Sequence, residues 1–192
     1  MSELDLAREK VLAALKTFAA AAAHADWAVV YFAGHGLEVG GLDYLVPVDA
    51  KLASDRDVTF EAVPLEQVLQ AVDGARKLRL VILDAYRDNP FVKTMTRSAS
   101  STRSIGRGLA NIEPEGSTLV AYAAKHGQTA LDGTGANSPF VTALIKNLDT
   151  AGLEINLLFR KVRDDVLAAT GNRQEPYTYG SLPSEPFYFR KP

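Results

Sequence analysis

The apolar positions of this chain change period several times, and each change marks an element. From Leu4 to Ala23 they recur at helical spacing among Ala, Lys and Glu, which predicts a helix. Trp27 to Phe32, "WAVVYF", is an unbroken β-branched and aromatic run stopped by Gly34 and Gly36. It reads as a strand buried on both faces. "LEVGGLDYLVPVDA" then places two short strands around Gly40-Gly41, a hairpin pattern. Pro64 to Val72 predicts a short helix with proline in its first turn and Gly74 beyond its end. Leu78 to Leu83 is a second buried strand, and "STLVAYAA" from Ser117 a third. A helix over Pro139–Asp149 follows Ser138, a good N-cap with proline at the first helical position. Another runs from about Glu154 to Ala169 and stops before Gly171. "EPFYFRK" reads as a final strand. Strands alternating with helices imply an α/β fold, a mostly parallel sheet with helices on both faces.

Composition narrows the chemistry. The 192 residues suit one domain spanning 1–192, and 47% apolar content is that of a globular chain. A net charge of −2 gives no field that would attract nucleic acid. No apolar run is long enough to span a bilayer, and "MSELDLAREK" lacks the pattern of a signal peptide, so a cytoplasmic location is expected. The chain has no cysteine, which excludes disulfides, thiolate metal sites and a cysteine nucleophile.

Ligand sites in parallel sheets lie outside the carboxyl ends of the strands. Two strand ends stand out there. The first, "AGHG", presents His35 between glycines, and the second, "DAYRD", presents Tyr86. On neighbouring strands these two would face each other across a cleft. His24 and His126 have no such setting and read as surface residues.

"YFAGHG", "DYLVPVDA", "RLVILDA" followed by "RDNPF", "GSTLVAYAA" and "NSPFVTALI" occur in an order that resembles the bacterial caspase-like family, the orthocaspases, relatives of metacaspases and caspases. The resemblance implies a caspase-haemoglobinase-like three-layer sandwich. It implies a cysteine endopeptidase ancestry, with cleavage after Arg or Lys in the bacterial branch. It gives His35 the place of the general base. The nucleophilic cysteine belongs about fifty residues downstream, where Tyr86 stands. The backbone N–H groups of Gly36 and residue 86 match the oxyanion hole. Asp84 matches the carboxylate that pairs with a basic substrate side chain. Ala121, Tyr122 and Ala123 match the strand edge along which a peptide lies. Calcium is a ligand in related metacaspases, but Asp43, Asp49, Asp55, Asp57 and Asp88 lack the spacing of a calcium loop, so no cofactor is expected.

Tyrosine is a poor replacement for cysteine. At pH 7 a thiol is roughly 3% ionised and a phenol roughly 0.1%. The thiolate is also the better nucleophile, and the ring occupies space that the scissile carbonyl needs. These arguments favour a pseudo-peptidase that binds a peptide or protein ligand. The alternatives are an active peptidase in which Tyr86 is a substitution, and a different activity that uses the tyrosine. Residues 88–112, rich in Ser, Thr and Arg, read as a mobile linker-like loop, with Arg97, Arg103 and Arg107 resembling maturation cut sites.

The resemblance also bears on assembly. Family members carry two further strands ahead of the helix that opens this chain. Without them, Trp27–Phe32 would stand at a sheet edge, with Phe187–Phe189 at the other. An apolar edge is a template for pairing, so a homo-oligomer, or a partner chain supplying strands, is expected.

Overall fold

The computed structural model describes residues 2–86, 95–96, 105–106, 116–125, 130–133 and 135–192. Helix α1 spans Arg8–Ala22 and is followed by β1, Trp27–Val39, and β2, Leu42–Val46. A one-turn helix α2, Val58–Glu61, and the two-residue β3, Val63–Pro64, lead into α3, Leu65–Val72. Then come β4, Leu78–Tyr86, β5, Ile105–Gly106, and β6, Thr118–Tyr122. Helices α4, Pro139–Leu148, and α5, Ile155–Thr170, precede β7, Tyr177–Gly180.

These strands form one sheet in the order β3-β2-β1-β4-β6-β7, with β5 joined to β1. Its centre, β1-β4-β6, is parallel, and the shorter outer strands add antiparallel. Helices cover both faces, as the alternation of elements predicts. On one face Leu78, Leu80 and Ile82 of β4 pack with Phe140, Leu158 and Val162 of α4 and α5. On the other, Val81, Leu83 and Ala85 meet Val68 and Val72 of α3 and the apolar side of α1. The period-2 alternation of β4 thus splits one apolar run between two cores.

Several boundaries differ from the sequence reading, each for a local reason. Helix α1 starts at Arg8, not Leu4, because Asp5 adopts a left-handed φ of 50° that no helix continues through. Its first N–H is capped from a distance, Arg8 N donating to Asp49 Oδ1 at 2.9 Å. Strand β1 does not end at Phe32. Gly34 and Gly36 lie inside it, and the chain turns only at Gly40-Gly41, where both φ are positive (63° and 81°), as a two-residue hairpin requires.

Phe187–Phe189 is not a sheet strand. Tyr188 makes only an isolated bridge to Glu154, while Phe187 and Phe189 set their rings edge-on against Trp27 at 5.5 and 6.0 Å. The outer strand beyond β6 is Tyr177–Gly180 instead. The expectation for 88–112 lies mostly outside the described residues. Two described pieces within it are tied down: Met95 is buried, Thr96 bridges Ser54, and Ile105–Gly106 pairs with Glu38 and Val39. His126 lies outside the described residues, and His24 is exposed.

Candidate functional site

The strands that carry His35 and Tyr86 are neighbours, and β1 goes on beyond the end of β4. β1 runs parallel to β4 up to the pair His35↔Tyr86, and from His35 to Val39 it pairs with β2. His35 therefore sits at the last position shared with β4 and the first shared with β2, and it is not among the described residues lining the pocket that opens beside Asp84. Ladder parity fixes the backbone directions. Leu78 N–H donates to the Asp26 carbonyl at 3.0 Å, so even-numbered residues of β1 aim their N–H and C=O groups at β4. By that parity the Gly36 N–H faces the end of β4, where Tyr86 closes the ladder. At Gly34 a Cβ would stand 2.9 Å from Cζ of the Phe32 ring on the same strand.

Asp84, opposite Ala33 in the same ladder, is the charged centre of the site. It is only 6% exposed. Its Oδ2 accepts a 2.6 Å hydrogen bond from Ser138 Oγ and a weak one, 3.5 Å, from the Tyr31 hydroxyl. Burial pushes the Asp84 carboxyl above its ordinary range. The Ser138 and Tyr31 hydrogen bonds pull it back, and the charge of Asp132 adds to the rise. Burial and the neighbouring Asp84 likewise raise the Tyr31 phenol. Asp84 opens onto a pocket of about 630 Å3 whose lining includes Tyr31, Asp132 and Ser138. Two carboxylates, a phenol and apolar walls suit an organic cation.

Ala121, Tyr122 and Ala123 do not form a free edge. Ala121 and Tyr122 are flanked by β4 on one side and by Thr178 and Tyr177 of β7 on the other. Ala123 donates its N–H to the Leu83 carbonyl and accepts from Gln174 Nε2, both at 2.9 Å. The strand that occupies this edge, Tyr177–Gly180, is not among the strands that the sequence pattern predicts. Tyr31, Asp132 and Gln174 were not foreseen as site residues. Tyr31 had one available signal: it lies four residues before His35, on the same face of the strand. Gln174 is fully buried and bonds Leu131 N as well as the Ala123 carbonyl, tying the pocket's loop to β6. Nothing in "NRQEPY" distinguishes it from a surface glutamine. Among the described residues no three His, Cys, Asp or Glu side chains gather as around a metal ion, and Asp43 and Asp55 are buried. No helix there is long and apolar enough to cross a membrane.

Comparison with known proteins agrees with this architecture. The sequence profile of the caspase domain matches residues 2–188. No curated protein matches the chain in sequence. Among solved structures, caspase-1 from Spodoptera frugiperda aligns over 98% of this chain and 74% of its own, with a TM-score of 0.63 and 19% identity. At that identity the likeness is one of fold. With the sequence profile matched over nearly the whole length, the chain belongs to the caspase domain family, peptidase family C14.

Proposed function

We propose that this caspase domain is a catalytically silent member of the bacterial orthocaspase branch that works in the cytoplasm as a peptide-binding or regulatory module. The observation that carries this reading is the register His35↔Tyr86. It sets the expected general base beside a tyrosine, in a chain with no cysteine at all. The phenol is both less ionised and less nucleophilic than a thiol, so the pair lacks the group that starts peptide cleavage. What persists is the means to hold a ligand: Asp84, buried and held by Ser138, faces the pocket with Asp132 and Tyr31 beside it. A guanidinium or ammonium side chain entering there would pair with Asp84 and stack against Tyr31. Bound peptide would remain intact.

Peptides carrying one Arg test this reading. Isothermal titration should show binding of the Arg peptide, weakened about 10- to 100-fold when Arg is replaced by Gln or when the protein carries Asp84→Asn, as expected for loss of a charge-assisted bond. The peptide should be recovered uncut. In Tyr86→Cys an Arg-terminated chloromethyl ketone should label the new thiol, and His35→Ala in that background should slow the labelling. Turnover by the unaltered protein that is lost in His35→Ala would overturn the silent assignment. Equal affinity for the Arg and Gln peptides would overturn the cation pocket.

A further inference from the structure

β1 has two halves with different surroundings. From His35 to Val39 it lies between β2 and, at its tip, β5. From Trp27 to Gly34 it has β4 on one side, and on the other no strand among the described residues. Parity identifies the backbone groups that look out there. The Leu78-to-Asp26 bond assigns even-numbered residues to β4. The hairpin agrees independently. Val39 and Leu42 flank a two-residue turn and form its closing hydrogen-bonded pair, which puts odd-numbered residues on the β2 side. The N–H and C=O groups of Trp27, Val29, Tyr31 and Ala33 therefore point outward along the open edge. None of them is bonded among the described residues.

This edge lacks the usual protections. Trp27 to Gly34 contains no charge and no proline, and its register with β4 runs without a bulge. Tyr31 is 47% exposed on it. The outermost strands are blunted by comparison: β3 has two residues and ends in Pro64, and β7 has four. A row of unpaired peptide groups selects an extended backbone. Its neutral, apolar flanks select a segment without charge, and β1 is itself such a segment.

We propose that the open edge of β1 pairs with the same edge of a second copy, antiparallel, about a twofold axis beside Val30. In this register outward residues oppose outward residues: Trp27 meets Ala33 of the partner subunit, and Val29 meets Tyr31 of the partner subunit. The contact is self-complementary, so it closes as a dimer and does not propagate. It also brings Tyr31 and Ala33, both lining the Asp84 pocket, to the joint in each copy.

Light scattering at micromolar concentration should give about 41 kDa, twice the 20.7 kDa chain. Tyr31→Lys, which sets a cation against the partner's apolar edge, should weaken dimerisation at least about tenfold with an unchanged circular dichroism spectrum. Thr178→Lys on β7 should leave it intact. In the unaltered protein, hydrogen exchange at the Val29 and Tyr31 amides should slow as concentration rises, a readout that needs no variant. A monomer at every concentration, or a dimer sensitive to Thr178→Lys and indifferent to Tyr31→Lys, would overturn the proposal. So would a dimer whose Val29 and Tyr31 amides exchange freely.

Discussion

Folding shifts the Asp84 carboxyl above its ordinary range. Burial raises its pKa and Asp132 opposes its ionisation, while the hydrogen bonds from Ser138 and Tyr31 favour the charged form and lose to burial. With the folded value above the unfolded one, the folded protein binds more protons across the window between them. Stability attributable to Asp84 is therefore complete below the ordinary carboxylate range and is lost as pH rises through the raised value. Asp84→Asn removes that loss. Its thermal midpoint should exceed that of the unaltered protein at pH 7, and the gain should vanish as pH falls to about 4. A variant less stable at pH 7 would show that the buried anion is compensated by something other than these two hydrogen bonds. Cation binding runs the opposite way, weakening as acid protonates Asp84. At this scale the pairing of His35 with Tyr86 was legible because "AGHG" and "DAYRD" each follow a buried apolar run of similar length, although β1 continues past His35 to Val39. Tyr31, Asp132 and Gln174 were not, because their roles depend on contacts between segments far apart in the chain, such as Gln174 with Leu131 and Ala123.

At the scale of elements, Ser138 carries two duties on one oxygen. As N-cap of α4 it accepts from Val141 N at 3.0 Å, and its hydroxyl proton goes to Asp84. One side chain thus fixes where the helix begins and where the carboxylate points. Ser138→Ala removes both bonds and should cost about 2–4 kcal/mol, seen as a lower denaturant midpoint at unchanged slope, with weaker Arg-peptide binding. Ser138→Thr retains the oxygen and should restore most of both. Equal losses in the two variants would place the effect in packing, not hydrogen bonding. The cap itself was legible from Ser138-Pro139, as was the stop of α5 at Gly171, whose left-handed φ of 59° is the one its sequence position demands. Strand limits were harder to read. Glycine is an ambiguous stop signal, and Gly34 and Gly36 lie inside β1 without ending it. The aromatic run Phe187–Phe189 mimics a strand while serving a ring cluster around Trp27, whereas "YTYG" joins the sheet.

At the scale of the molecule, the two larger cores are separated by the sheet that both pack against. Phe140 and Leu158 lie on one face and Leu65 on the other, all essentially inaccessible. The strands belong to both cores at once, since alternate residues of β4 enter each. A change on either face should therefore propagate to the whole unit. Trp27, the chain's one tryptophan, reports from the α4–α5 side through its contacts with Phe187 and Phe189. Leu65→Ala, on the opposite face, should destabilise the protein by about 2–5 kcal/mol through the cavity it leaves. If residues 1–192 unfold as one cooperative domain, the Trp27 fluorescence transition and the far-ultraviolet circular dichroism transition should shift together by that same amount. A Trp27 transition that stays in place while the circular dichroism splits would mean that the α1–α3 face melts separately. In that case β1, shared between the faces and open along one edge, would be the element at which the unit divides.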